Sequence, residues 1–297
     1  MGTWPLSSNS KREKEGVAYI PVKTTPPRIC APPPETWFPW LVPLIFLVDV
    51  SAFVFTMYVN NCPAHSNDCF IPSLGRYSFE SPSQNFLVGP TALTLQKLGA
   101  LNLKLVEDGE VWRLISCMWL HVGVLHLLAN MISLLFVGVR LEKEFGFWKI
   151  GLLYLFSGFG GSLASAISVK YSNKEGASLT TSVGASGALF GLLGAMLSEL
   201  FTNWTIYANK CAALSTLICV IALNMALGFL PHVDMSSHVG GFLSGYFLGF
   251  VILIRPQFGY VSPKHIPRGY NLKNVKPKYK SYQYVLWITA FVILIIG

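Results

Sequence analysis

The sequence predicts an all-α protein that crosses a membrane seven times, and three observations carry the prediction. Only 12% of the 297 residues are charged and 52% are hydrophobic, whereas ordinary soluble domains carry about 25% charged residues. Mean hydropathy is +0.49. Seven apolar stretches approach the roughly 20 residues that a helix needs to cross ~30 Å of hydrocarbon. Basic residues collect on both sides of the first six stretches, which is the pattern that fixes the cytosolic face.

Residues 1–38 are polar and proline-rich, with PP at 26–27 and PPP at 32–34. They read as a disordered cytosolic tail rather than a signal peptide. Glu13 and Glu15 argue against a plastid transit peptide, since such peptides avoid acids. Lys11, Arg12, Lys14, Lys23 and Arg28 keep the tail on the cytosolic side. The first span is expected near 39–59, with Asp49 inside it and no partner for it evident from the sequence.

The segment 60–121 is too long for a connector and alternates apolar with polar residues, so it is expected to form an interfacial subdomain on the outer leaflet. Trp112 and Trp119 are its expected interface anchors. Cys62 and Cys69, beside Pro63, are a candidate disulfide, because this face belongs to an oxidising compartment. Cys117 falls near the membrane surface, and Cys211 and Cys219 read as packed thiols.

The second span, near 122–139, is cut from a longer apolar run so that His121 lies at the interface and His126 one turn inside. Further spans follow near 147–169, 183–200, 211–230 and 236–254. The sequon Asn203-Trp204-Thr205 lies between the fourth and fifth, on the cytosolic side by parity. The loop 255–281 carries Arg255, Lys264, Arg268, Lys273, Lys276, Lys278 and Lys280 and no acid, so it too is cytosolic. The net charge of +8 therefore reports topology and attraction to anionic lipid. No nucleic-acid partner is expected, because no aromatic stacking platform accompanies the charge. The last span, 282–297, is short and stops at the chain end, as a tilted or truncated helix would.

With the amino terminus inside, spans two, four and six all start on the outer face. His126 and Asn130, Ser186, and His238 each fall near such a start, within roughly 5 to 12 Å of the outer boundary at 1.5 Å per residue. Polar groups at that depth are costly and mark function. A lone intramembrane serine usually returns a hydrogen bond to its own backbone, and a lone histidine often packs, so the weight lies on their convergence. Gly187, Gly191 and Ala195 follow Ser186 as Gly241, Gly245 and Gly249 follow His238, small-xxx-small faces that let helices approach closely. Packing alone explains the glycines, but not why each stripe begins beside a nucleophile or a base.

A serine beside a histidine points to nucleophilic catalysis, with imidazole accepting the hydroxyl proton and returning it to the leaving amine. Asp234, four residues before His238, sits where a helix N-cap is expected, so a Ser186–His238 dyad is the economical reading. His126 and Asn130, spaced i and i+4, share a face, and with the Ser186 N–H at a helix start they can form an oxyanion hole. A zinc site drawn from Cys117, His121, His126 and His238 is the competitor. It lacks an HExxH sequence and a carboxylate placed as base, so neither metal nor cofactor is expected.

GASG from Gly184 to Gly187, HVGVLHLLAN over 121–130 and SHVGGFLSG over 237–245 resemble the motifs of rhomboid intramembrane serine proteases, in the family's order and spacing. Trp112-Arg113 and the stretch from Leu141-Glu142 to Gly146 extend the resemblance, which covers the first six spans. The seventh span and basic loop are similar to the eukaryotic secretory-pathway branch, and the wording of the motifs to plant members. The resemblance implies a six-helix rhomboid core over 39–254 plus an additional carboxy-terminal helix. It implies Ser186 as nucleophile, His238 as base, and His126, Asn130 and the Ser186 amide as oxyanion donors. Phe190 falls where the family sets an aromatic ring, often Tyr, against the imidazole, and Ser237 replaces a common Ala. Catalytically dead relatives lack the serine or the histidine, and this chain keeps both.

The implied substrates are single-span membrane proteins, cut near the lumenal end after a small residue and within a lipid bilayer. Unpaired backbone is costly in lipid, so they must unwind into a wet cavity. A non-catalytic chaperone or trafficking adaptor on the same scaffold is the alternative, and a transporter lacks the expected internal repeat. Golgi or plasma membrane is the expected location.

Overall fold

A computed structural model describes residues 37–172, 181–205, 207, 209–227, 234–256 and 279–296. Nearly all of the expected amino-terminal tail and most of the 255–281 loop lie outside the described residues. Helices α1 (Leu41–Asn60), α2 (Ala92–Leu98), α3 (Leu103–Glu107), α4 (Arg113–Ser116), α5 (Val124–Ser133), α6 (Val139–Phe145), α7 (Phe147–Lys170), α8 (Ser186–Thr202), α9 (Lys210–Leu227), α10 (Met235–Ile252) and α11 (Ser281–Ile296) follow in order. Among the described residues, extended pairing is limited to the isolated bridges Phe70–Phe79 and Leu101–Ser182. Among the described residues, four segments are long and apolar enough to cross a membrane: Leu41–Ala64, Val124–Phe145, Phe147–Lys170 and Met235–Ile252. Shorter apolar helices cover Ser186–Thr202, Lys210–Ala226 and Ser281–Ile296. The protein is the all-α polytopic membrane protein that its composition predicts.

The second span runs further than the sequence predicts. The apolar run stops at Val139, before Arg140 and Glu142, yet the helix passes through a π-helical turn at Leu134–Gly138 and continues to Phe145. The reason is Glu142, which is fully buried. Its carboxylate accepts the N–H groups of Trp40 (2.9 Å), Leu41 (2.8 Å) and Val42 (2.8 Å) at the start of α1. Those donors have no intrahelical partner, and a carboxylate suits a helix amino terminus.

The segment between α1 and α5 is a folded unit. Asn60, at the last turn of α1, accepts Thr91 N–H and the Thr94 hydroxyl at 2.9 Å each and donates to Glu80 at 2.6 Å. The buried Arg113 donates to the Gln96 carbonyl (2.7 Å), the Ala100 carbonyl (2.9 Å) and Glu110 (2.7 Å), tying α2 and α4 together. Cys62 and Cys69 are joined by a disulfide. Trp112 is exposed, whereas Trp119 is half-buried and packs against the core with its ring 5.9 Å from that of Tyr154 on α7. Its apolar neighbours on α7 lie too far away in sequence to be read from the local pattern.

Helix α8 lies at the centre, packed between α7 and α10, and every residue from Gly187 to Ala195 is buried. A helix enclosed all round needs no polar face, which explains its near-absence of charge. A Cβ on Gly241 would overlap the Gly187 carbonyl, and one on Gly245 the Gly191 carbonyl, so the α8 and α10 backbones touch directly. In α1, Asp49 is fully buried, and neither carboxyl oxygen has a hydrogen-bond partner among the described residues.

At the opposite end of α8, Asn203 is fully buried. Its Nδ2 donates to Glu199 (3.0 Å) and to the Leu253 carbonyl (3.1 Å), while its Oδ1 accepts Arg255 N–H at 3.0 Å. Gln283 of α11 donates to the carbonyls of Thr202 (3.1 Å) and Arg255 (2.8 Å), which docks the seventh span there. A sequon asparagine so engaged cannot accept a glycan in the folded protein. Endoglycosidase treatment of protein from a eukaryotic host is therefore expected to leave its electrophoretic mobility unchanged; a downward shift abolished by Asn203→Gln would overturn both the burial and the topology.

Candidate active site

The approach to Ser186 is an extended segment fixed at two points. Ser182 pairs with Leu101 through N–H···O bonds of 3.0 and 2.9 Å, and Gly184 N–H donates to the Cys117 carbonyl at 3.0 Å. Gly184 has φ +130°, a conformation that disfavours any residue with a Cβ. A Cβ there would also lie 2.6 Å from His126 Cε1. The chain then turns into α8, of which Ser186 is the first residue.

Helix α10 is capped by Asp234, whose carboxylate accepts Ser237 N–H at 3.0 Å. One turn on, His238 is buried, and its Nε2 lies 2.9 Å from Ser186 Oγ. Phe190 stacks on the imidazole, with centroids 4.3 Å apart and planes at 28°. Among the described residues, Nδ1 of His238 has no hydrogen-bond partner, and neither do Nδ1 of His126 and Nδ2 of Asn130. His126 and Asn130 both face Gly184, whose Cβ position would be 3.7 Å from Asn130 Nδ2. Buried polar groups are normally paired, and this amide donor is an exception among the described residues.

A cavity of about 790 Å³ opens over this cluster, lined by His126, Ser186, Asp234 and His238 and by apolar groups that include Leu95 and Leu101. Among the described residues, no group of three His, Cys, Asp or Glu side chains is placed to hold a metal ion. Of the zinc candidates, His121 lies near His126, with ring centroids 5.4 Å apart and planes tilted by 59°. Cys117 is buried 3.2 Å from the Ser162 hydroxyl, and burial pushes its thiol up to about 11.

Residues 108–255 match the family described as the Rhomboid domain. Over 272 residues the chain is 58% identical to RHOMBOID-like protein 5 of Arabidopsis thaliana, covering 91% of this chain and 86% of that protein. This chain belongs to the rhomboid family. It is also 58% identical to RHOMBOID-like protein 1 of the same plant over 266 residues, 89% of this chain and 66% of that protein. A relative named Inactive RHOMBOID-like protein 8 shares 41% identity over 228 residues, 76% of this chain and 63% of that protein. The similarity to rhomboids thus extends to a member named as inactive, and what this rhomboid does rests on its own site.

One feature of that site escapes sequence reading. Besides capping α10, Asp234 accepts hydrogen bonds from Ser182 (2.6 Å) and, more closely, from Ser165 of α7. Its partners stand 52 and 69 residues away, and no local pattern announces them.

Proposed function

We propose that this rhomboid is a cofactor-free intramembrane serine endopeptidase, and the observation that carries the reading is the 2.9 Å contact between Ser186 Oγ and His238 Nε2 at a cavity. Nε2 accepts the hydroxyl proton while Oγ attacks the scissile carbonyl carbon, then returns that proton to the departing amine. Water, deprotonated by the same nitrogen, hydrolyses the ester left on Ser186. Asn130 Nδ2, His126 and the Ser186 N–H, one of the donors a helix start leaves unpaired, receive the negative oxygen. Nδ1 carries the remaining imidazole proton, and Phe190, lacking a hydroxyl, steadies the ring by stacking alone.

The substrates are single-span membrane proteins. Their scissile carbonyls are tied up in helical hydrogen bonds, and they must unwind at the lumenal end to reach Ser186. The Cys62–Cys69 disulfide supports placing the cavity on the lumenal or extracellular face of the secretory pathway, in Golgi or plasma membrane. In proteoliposomes holding only this protein, a single-span substrate with Gly or Pro near its lumenal end is expected to be cut whether or not a chelator is present. Replacing those residues with Leu should slow cleavage by about tenfold or more, since each exposed carbonyl must first leave its helix at a cost of about 1 kcal/mol or more. An unchanged rate would defeat the unwinding requirement. Capture of the substrate without cleavage would favour the adaptor reading, for which the similarity to an inactive relative is the one supporting observation.

A further inference from the structure

We propose that Asp234 is a positioning residue that sets the Ser186–His238 distance by pinning three elements to one carboxylate; the inference rests on the protease reading. Capping α10 uses only Oδ1, which accepts Ser237 N–H at 3.0 Å. Oδ2 accepts the hydroxyl of Ser182, four residues ahead of Ser186, at 2.6 Å, and also the hydroxyl of Ser165 on α7. The Asp234 carbonyl in turn accepts His238 N–H at 3.2 Å. The lead-in to the nucleophile, the helix carrying the base and the neighbouring α7 therefore meet at one side chain, and the two serine bonds are surplus to any cap.

The pin spans a weak point. Between Ser182 and Ser186 the chain passes through Gly184 at φ +130°, where a glycine backbone is free to turn. Hydrogen bonds to a charged acceptor are about twice as strong as neutral ones, so the carboxylate fixes that approach better than the Leu101 pairing alone. Asp234 is not a third member of a triad, because it does not reach His238 Nδ1, which has no acceptor among the described residues. It acts only through where it holds the two reacting groups. Misplacement of reacting atoms by about 1 Å costs on the order of 10²-fold in rate.

The test compares Asp234→Ala, Asp234→Asn and the pair Ser165→Ala/Ser182→Ala in the full chain. Substrate cleavage and labelling of Ser186 by a fluorophosphonate probe are followed in proteoliposomes, with thermal unfolding as a control. Asp234→Ala is expected to lower kcat by about 10- to 100-fold with KM changed by less than about threefold, and to slow labelling in parallel. Asp234→Asn retains a cap acceptor and a group able to meet both hydroxyls, so it should recover most of the loss. The serine pair leaves the cap intact and should still lose about fivefold or more in kcat. It decides the matter if Asp234→Ala does not fold. A serine pair within about twofold of wild type in kcat and labelling would overturn the proposal while leaving the protease reading standing. Wild-type protein that neither cleaves nor takes the label would defeat both.

Discussion

Replacing Ser186 with alanine is expected to lower kcat/KM by at least about 10³-fold and to leave substrate capture nearly unchanged. On the protease reading the hydroxyl is the attacking group, 2.9 Å from His238 Nε2, and a methyl group offers no lone pair. His238→Ala should cost a similar factor, since an unassisted hydroxyl is a weak nucleophile at neutral pH. The double variant should be no slower than either single one, because the two groups act as one unit. Initial rates in proteoliposomes, with substrate crosslinking to report capture, check all three. Cleavage surviving in Ser186→Ala would reject the dyad, and additive losses would show that serine and histidine act in separate steps.

Glu142→Ala is expected to destabilise the folded protein by about 3 kcal/mol or more, because three backbone N–H groups depend on its carboxylate. Three N–H groups at the start of α1 would lose their acceptor together, each at about 1–3 kcal/mol if left dry. The carboxylate is fully enclosed, so no solvent is at hand to replace it. Glu142→Gln keeps one oxygen acceptor and should recover part of the loss. Equilibrium unfolding in detergent or bicelles measures both variants, and a loss below about 1 kcal/mol for Glu142→Ala would mean that these donors find other partners.

The membrane class and the seven apolar segments were legible in the sequence because hydrocarbon imposes a length and a composition that few other environments demand. The convergence of His126, Asn130, Ser186 and His238 was legible for a related reason: parity and a fixed rise per residue turn sequence position into depth. What stayed hidden were polar side chains satisfied from far away. Glu142 reads as the end of a span until α1, 100 residues off, is seen to use it. Asn203 reads as a sequon on a loop until Glu199 and Leu253 close around it. Asp234 reads as a cap, because the two serines that also hold it belong to other elements.

The interlock of Gly187 with Gly241 and of Gly191 with Gly245 bears on how the protein tolerates change. Where side chains separate two helices, rotamers can shuffle and the spacing drifts gradually with sequence. Here main chain rests on main chain, so the separation has a hard stop and nothing soft to adjust. The separation of the two helices is thereby set like a dimension machined into a part, altered in a single jump by one methyl group at the seam.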